Sequence, residues 1–505
     1  MTSSTCFPWL ALSLLIFNTA LADSPLPAKS ETPYEQATSW PDRIIATATE
    51  NPATTISLTW RTNSITGSTY GQIVTANSDA RYDIHASTVK AITNTVSLKQ
   101  GRNHQGEFKY PANDKFPDVN YHAITFKNLS PDTLYNYRVS GAEGKWSPWQ
   151  QIKTTSLQAN KDVEFLYFGD AQNGIYSHWP MVLRRAWKNA ANAEFAIYAG
   201  DLVNEGANDK QWSNWLNAGR FIHGMLPAVL VAGNHEYDWQ IHTNKGINTN
   251  NNNNNNKSWA LSTLWQDQFT LPPVSTLPNV LQETVYASHY PDLDIFVLNS
   301  EAQGDVNLLQ AQAEWLDDQL QHSKAQWRIV TMHHPIFSSC GVPLNTPGQD
   351  EPEVRAAFLP ILLKHNVDLV LQGHDHTYAR GSIGTKEDIA VLASSTSPKK
   401  FKSVFVTSVA GPKTYPQKPT RWQEYNHYGV TLERIGENTS TYQIIKKTTN
   451  KLIYKSFTTD GKLYDGFTLE KAESGQKTLK VMSDLPKQRT FNNTGDYKSH
   501  HDLAE

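Results

Sequence analysis

The stretch LVLQGHDHTYARG, Leu369 to Gly381, begins as a buried strand and then sets two histidines around an aspartate, just after a glycine. A strand repeats its direction every second residue. If the strand runs on through Asp375, His374 and His376 face one way, about 6 to 7 Å apart along the backbone, and Asp375 faces the other. Two imidazoles so arranged can each hold one of two neighbouring metal ions. Loop histidines engaged in ordinary hydrogen bonds account for the same stretch, so the rest of the chain has to decide.

Four other apolar runs end in the same manner. VEFLYFGD delivers Asp170, FAIYAGD delivers Asp201, AVLVAGNHE delivers Asn234 and His235, and RIVTMHHP delivers His333 and His334. In open α/β sheets ligands bind beyond the carboxyl ends of the strands, so these side chains are expected to share one crevice. Singly, each has a simpler account. Gly-Asp pairs punctuate turns, Asn234 can bond its own backbone, and His333 can be a satisfied core histidine. Their joint occurrence favours a common site. Carboxylates, an amide oxygen and neutral imidazoles without thiolates suit divalent or trivalent iron, zinc or manganese. A pair of such ions roughly 3.5 to 4 Å apart needs a bridging carboxylate and is suited to phosphate ester hydrolysis.

The chain has 505 residues and a formal net charge of −3. That length allows two or three domains, and the charge points to neither nucleic acid nor an anionic membrane as partner. The opening MTSSTCFPWLALSLLIFNTALADSP has a short apolar core and a small-residue cleavage site. Residues 1–22 are therefore expected to be a signal peptide cut after Ala22, which predicts a secreted or periplasmic protein. No later run approaches the roughly 18 apolar residues of a membrane-crossing helix. Of the two cysteines, Cys6 lies in this leader. Cys340 then has no internal partner, and with no general base beside it reads as a bystander.

Residues 36–156 alternate in short segments such as TISLTWRT, GQIVTAN, YHAITFKNL and LYNYRVSG, which predicts an antiparallel sandwich with Trp60 and Trp146 as core aromatics. From 162 to 471 unalternating apolar runs exchange with helical stretches, among them WPMVLRRAWKNAANA, LLQAQAEWLDDQLQHS and EPEVRAAFLPILLKHN, which predicts strands covered by helices. Within this part, 249–257 holds an asparagine run with nothing apolar to bury and reads as a disordered surface loop. The polar stretch 474–505 reads as a disordered tail.

The ordered set GD, GD, GNHE, HHP and GHDH resembles the calcineurin-like metallophosphoesterases. With a sandwich starting near PDRIIATATENPATTISLTW, the chain most resembles the purple acid phosphatase branch. The resemblance implies an α+β multidomain protein: an N-terminal all-β sandwich like fibronectin type III, then an α/β metallophosphoesterase sandwich of two mixed sheets flanked by helices. It implies that Asp170 and His376 bind a first metal, that Asn234, His333 and His374 bind a second, and that Asp201 bridges them. His235 is then the residue that stabilises the phosphoryl charge or protonates the leaving group. His333 is the ligand of its pair because the family's ligand precedes the proline by two positions, and His334 stands behind it.

Three departures from the family pattern matter. Purple acid phosphatases have a tyrosine three residues after the second aspartate, where this chain has Asn204, so the resemblance implies a protein that is not purple. Many metallophosphoesterases have a ligand histidine where this chain has Gln172, whose oxygen either completes the first metal's shell or hydrogen-bonds beside it. Plant-like members also carry further histidines after the fourth motif, and IFSSCGVPLNTPGQDEPEVRAAF has none. Near the fifth motif Arg380 binds phosphate or forms a structural ion pair. The expected function is hydrolysis of small phosphomonoesters by a metal-bound hydroxide, as in an acid phosphatase. A phosphodiesterase on the same two-metal site is the alternative, and a non-catalytic surface binding protein a more distant one.

Overall fold

Apolar runs without alternation should fill strands buried on both faces, and in the computed structural model three of them lie side by side. Val163–Phe168, Phe195–Tyr198 and Ala228–Leu230 pair in parallel. The structure describes residues 35–65, 67–98, 118–241, 257–339, 350–384, 399–417 and 421–490. The proposed leader, the asparagine run and Cys340 lie outside them. The first sheet continues antiparallel through Thr441–Lys447, Lys451–Thr458, Leu463–Lys471 and Lys477–Val481.

A second sheet contains Leu293–Val297, Trp327–Thr331, Leu369–Gln372 and Lys399–Thr407 in parallel. Tyr286–Tyr290, Tyr378–Gly384 and Val430–Gly436 extend it antiparallel. Strand alternation sorts its two faces. Ile329, Leu369 and Leu371 join the core shared with the first sheet. Val330 and Val370 join a second core with Leu316 and Phe358, which lie on the helices Val306–His322 and Pro352–Lys364. The first of these helices is capped by Asp305, whose side chain accepts from Asn307 N and Leu308 N, and the second starts on Pro352, whose missing N–H costs nothing there. The helix Trp179–Asn189 packs Trp179, Val182, Leu183 and Ala186 into the core of the first sheet. Among the described residues no helix is long and apolar enough to cross a membrane.

The N-terminal part is a sandwich of two antiparallel sheets. One contains Asp42–Thr47, Ile56–Asn63, Asp118–Phe126 and Ile92–Ser97, the other Ser87–Lys90, Tyr70–Thr75, Leu134–Val139 and Gln150–Lys153. Trp60, Leu58, Tyr137 and Val139 fill the space between them. The Tyr135 hydroxyl accepts from Ser130 N at 2.8 Å, a tyrosine corner.

Two expectations need correction. Trp146 is not a core residue: it lies half-buried outside the core, where Arg138 stands 4.7 Å from its ring and 4.6 Å from that of Trp149. The stretch from 474 is not a disordered tail throughout, because Lys477–Val481 pairs with Leu463–Lys471 and, through Lys399 and Lys400, joins the two sheets of this domain. Its Lys477 ammonium is buried against Asp368, an ion pair that composition alone does not reveal. The sandwich also joins the domain that follows it. Thr47 pairs in parallel with Ala228, and Ile45, Val119 and Tyr121 belong to the core of the following domain.

His122 sits inside the sandwich, stacked on Trp60 at 5.3 Å and bonded to Thr62, Thr69 and Thr93. Burial lowers its imidazole to about 4. The unfolded chain takes up this proton near its ordinary value, and the folded chain only near 4. Stability is therefore lost as pH falls from about 6.5 towards 4, by about 3 kcal/mol from this residue. Chemical denaturation across that range should show a flatter profile for His122→Gln than for the native chain; parallel profiles would refute the assignment.

Candidate metal centre

The five strand ends meet. The loops after Val163–Phe168, Phe195–Tyr198, Ala228–Leu230, Trp327–Thr331 and Leu369–Gln372 bring Asp170, Asp201, Asn234, His333, His374 and His376 together. Asp201, His333 and His374 each offer a ligand atom within 4.8 Å of the others, and so do Asp170, Asp201 and His376. Asp201 alone belongs to both groups. Asn234 Oδ1 lies 3.1 Å from His333 Nε2 and 3.2 Å from His374 Nδ1, placing it with the first group.

The way His374 and His376 reach the site differs from the expectation. The strand ends at Gln372, so alternation does not carry through Asp375. His374 (φ 73°) and His376 (φ 51°) are both left-handed, as are Asp170 (φ 41°) and Asp201 (φ 52°). Such a backbone costs about 1–2 kcal/mol at each non-glycine residue and persists only where its surroundings hold it. Here they do. Both oxygens of Asp170 accept from His374 N at 2.9 Å. Asp375 is held on the far side by Ser338 Oγ at 2.9 Å and Ser339 N at 2.6 Å. Glycine is required where the loops touch: a Cβ on Gly200 (φ 88°) would stand 2.4 Å from His333 Nδ1, and one on Gly373 would stand 2.6 Å from Asp170 Oδ2.

The imidazoles are turned so that Nε2 faces the site: His333 Nδ1 donates to Ala199 O at 2.9 Å and His376 Nδ1 donates to Lys413 O at 3.0 Å. Gln172 tests whether cations fit. Its amide nitrogen stands 2.7 Å from Asp201 Oδ2 and 2.8 Å from His376 Nε2, while its oxygen is buried without a partner among the described residues. Acceptors from two elements thus converge on one donor, the arrangement that a cation between them also satisfies. Electrostatics agrees. Burial pushes the Asp170 carboxyl well above the carboxylate range. For Asp201 burial acts in the same direction, but His333 and then His235 outweigh it and hold this carboxyl well below that range. A cation between these two acids would favour the ionised form of both.

His235 is half-buried at the edge. Its Nδ1 donates to Asn204 O at 2.7 Å, and its Nε2 faces Asp201 Oδ2 at 3.9 Å. His334 joins neither ligand group: its ring lies against that of His374 with centroids 4.3 Å apart, and its Nδ1 meets Ser300 Oγ at 3.0 Å. Arg380 is engaged with Asp465 and Glu433, and Tyr378 donates to the same Asp465, so the structural ion pair is the reading that holds.

Glu236 was not singled out by its sequence position. Its buried carboxylate accepts from Asp201 N at 2.9 Å, Gly233 N at 2.8 Å and Leu202 N at 2.8 Å, tying two of the strand-end loops together. Burial and then the charge of Asp201 push it up to about 8. The signal was available in GNHE, where a glutamate three residues after a glycine can turn back on the backbone of its own turn.

Residues 163–378 match the family described as calcineurin-like phosphoesterase, and residues 41–154 match the purple acid phosphatase N-terminal domain. Purple acid phosphatase 1 of Ipomoea batatas is 25% identical over 274 residues, 51% of this chain and 51% of its own. Fe(3+)-Zn(2+) purple acid phosphatase 12 of Arabidopsis thaliana is 25% identical over 283 residues, 51% and 52% of the two chains. The matches therefore span about half the length of these curated relatives. Purple acid phosphatase PPD1 from yellow lupin seeds (Lupinus luteus) superposes with a TM-score of 0.66 at 16% identity, covering 86% of this chain and 75% of that one, which is a likeness of fold. With both of its domains matched and its strand-end motifs gathered in one place, the chain belongs to the calcineurin-like metallophosphoesterases that carry a purple acid phosphatase N-terminal domain.

Proposed function

We propose that this protein is an exported phosphatase that hydrolyses small phosphomonoesters at a dinuclear metal centre. The observation that carries the reading is Asp201, the one carboxylate placed to serve two ligand groups at once. In this reading Asp170 and His376 hold one ion, Asn234, His333 and His374 hold the other, and Asp201 lies between them. Iron, zinc and manganese suit this donor set. Gln172 presents its nitrogen, and its buried oxygen has no partner among the described residues; turning the amide over would offer that oxygen to the first ion. Two such ions supply a water activated at neutral pH and neutralise the phosphoryl oxygens.

The remaining chemistry falls to the chain. His235 stands where solvent reaches the site, and the carbonyl of Asn204 fixes its Nδ1–H. That leaves Nε2 to carry a proton to the leaving oxygen or to pair with a phosphoryl oxygen. Glu236 holds the Asp201 loop in place without touching the ester.

Metal analysis of the purified protein, paired with a phosphate-release screen over mono- and diesters, tests the reading. The native chain should hold about two equivalents of metal and release phosphate from a monoester. His235→Ala should keep the metal and lose about 10²–10⁴-fold in kcat. Asp201→Ala and His333→Ala should lose both metal and activity. A preference for diesters would overturn the choice of substrate, and a metal-free, inactive native chain the whole reading.

Asn204 occupies the position of the tyrosine that colours relatives of this branch, so the metal-loaded protein should be colourless. A strong visible charge-transfer band would contradict this. Residues 1–22 are proposed to be removed on export to the periplasm or the medium. Intact-mass measurement of the exported protein should place its first residue at Asp23, and retention of the leader would refute this.

A further inference from the structure

The segment VAGPKTYPQ, residues 409–417, belongs to none of the five motifs, yet the fold clamps it against the metal centre. Ala410 N donates to Gly169 O at 2.7 Å, Gly411 N to Asp170 O at 2.7 Å and Tyr415 N to His376 O at 3.2 Å, while Lys413 O receives His376 Nδ1 at 3.0 Å. Lys413 and Tyr415 are thereby fixed beside Asp170 and His376. The Tyr415 ring lies on the His376 imidazole, with centroids 4.9 Å apart, and Lys413 Nζ stands 5.4 Å from the Tyr415 ring centroid. The aromatic face thus carries an ammonium next to a ligand histidine.

Lys413 and Tyr415 are half-buried, as are Asn234 and His235, whereas Asp170, Asp201, His333 and His376 are buried. The lysine is thus partly open to solvent, beside a buried ligand histidine. Among the described residues no carboxylate forms an ion pair with Lys413.

We propose that Lys413, carried on the ring of Tyr415, is the cation that binds the outer oxygens of the substrate phosphoryl group and makes the site prefer dianionic monoesters over monoanionic diesters. This rests on the phosphatase reading above. A monoester has a second ionisation near pH 6 and carries nearly two charges at neutral pH. A diester keeps one, because its second oxygen is esterified. An ammonium at the rim therefore gains more from the monoester, and a glutamine there gains little from either.

The test uses the full-length, metal-loaded chain. It compares p-nitrophenyl phosphate with bis(p-nitrophenyl) phosphate as substrates and titrates inorganic phosphate by calorimetry. Lys413→Gln should retain its metal, bind phosphate roughly tenfold more weakly, and show a similar fall in the monoester-to-diester ratio of kcat/KM. Lys413→Arg should recover phosphate affinity, and Tyr415→Leu should weaken it in the same direction as Lys413→Gln. The inference is overturned if Lys413→Gln binds phosphate as tightly as the native chain, or if it loses monoester and diester turnover in equal proportion. A native chain that binds phosphate but cleaves neither ester would refute the phosphatase reading while calorimetry on Lys413→Gln still decides the role of the lysine. A metal-loaded native chain that binds no phosphate would refute both.

Discussion

The buried carboxylate of Asp201 is the constraint around which the rest of the structure is arranged. It is shared by the two groups of ligand residues, it has Asp170 as an acidic neighbour, and it is almost wholly withdrawn from water. Leaving buried acids of like charge together is unfavourable unless positive charge joins them. The backbone nevertheless holds the group in place with bonds that need no cation. Glu236 takes the amides of Asp201 and Leu202, and Asp170 takes the amide of His374. The donor set is thus organised in advance, and strain at four left-handed residues is part of that organisation.

The sheets explain why residues so distant in sequence can serve one carboxylate. Each sheet contains a parallel block, and parallel strands deliver their following loops at a common end. Two such blocks packed face to face bring five loops within reach of one another. Gly200 and Gly373 lie where those loops touch, and a side chain at either would collide with His333 or Asp170. The GD and GH pairs therefore express packing as well as chemistry: the glycine admits the neighbouring loop, and the next residue carries the ligand.

Most of this was legible because apolar runs ending in ligand-type residues are a local signal. VEFLYFGD and VDLVLQGHDH announce both a strand and what it presents. The parts that were not legible depend on partners far away in sequence. The spacing of His374 and His376 suggested strand alternation, but a tight left-handed turn produces their convergence, and only the amide-binding carboxylate of Asp170 shows why that turn holds. Lys477–Val481 looked like part of a polar tail because its partners, an edge strand and the buried Asp368, lie elsewhere in the chain. Trp146 read as core by its type, yet it packs on an arginine at the surface of the sandwich. Glu236 was passed over because its work is done on backbone amides, which sequence patterns do not display.

The same dependence on distant partners removes the apparent independence of the two domains. Arg43, in the first strand of the sandwich, is buried against Asp209 at 2.6 Å, and Arg61 from the adjacent strand approaches the same carboxylate at 3.4 Å. Asp209 opens the helix Asp209–Ala218, and two residues later Gln211 Oε1 accepts from Asn204 N at 2.8 Å and Glu205 N at 2.9 Å. Asn204 in turn orients His235 through its carbonyl. Polar contacts and one turn of helix thus connect the sandwich to the histidine at the edge of the metal centre. Two guanidiniums share the Asp209 carboxylate, so separating the domains would strand buried charge on both sides of the junction. The sandwich is therefore part of the frame that sets the position of His235.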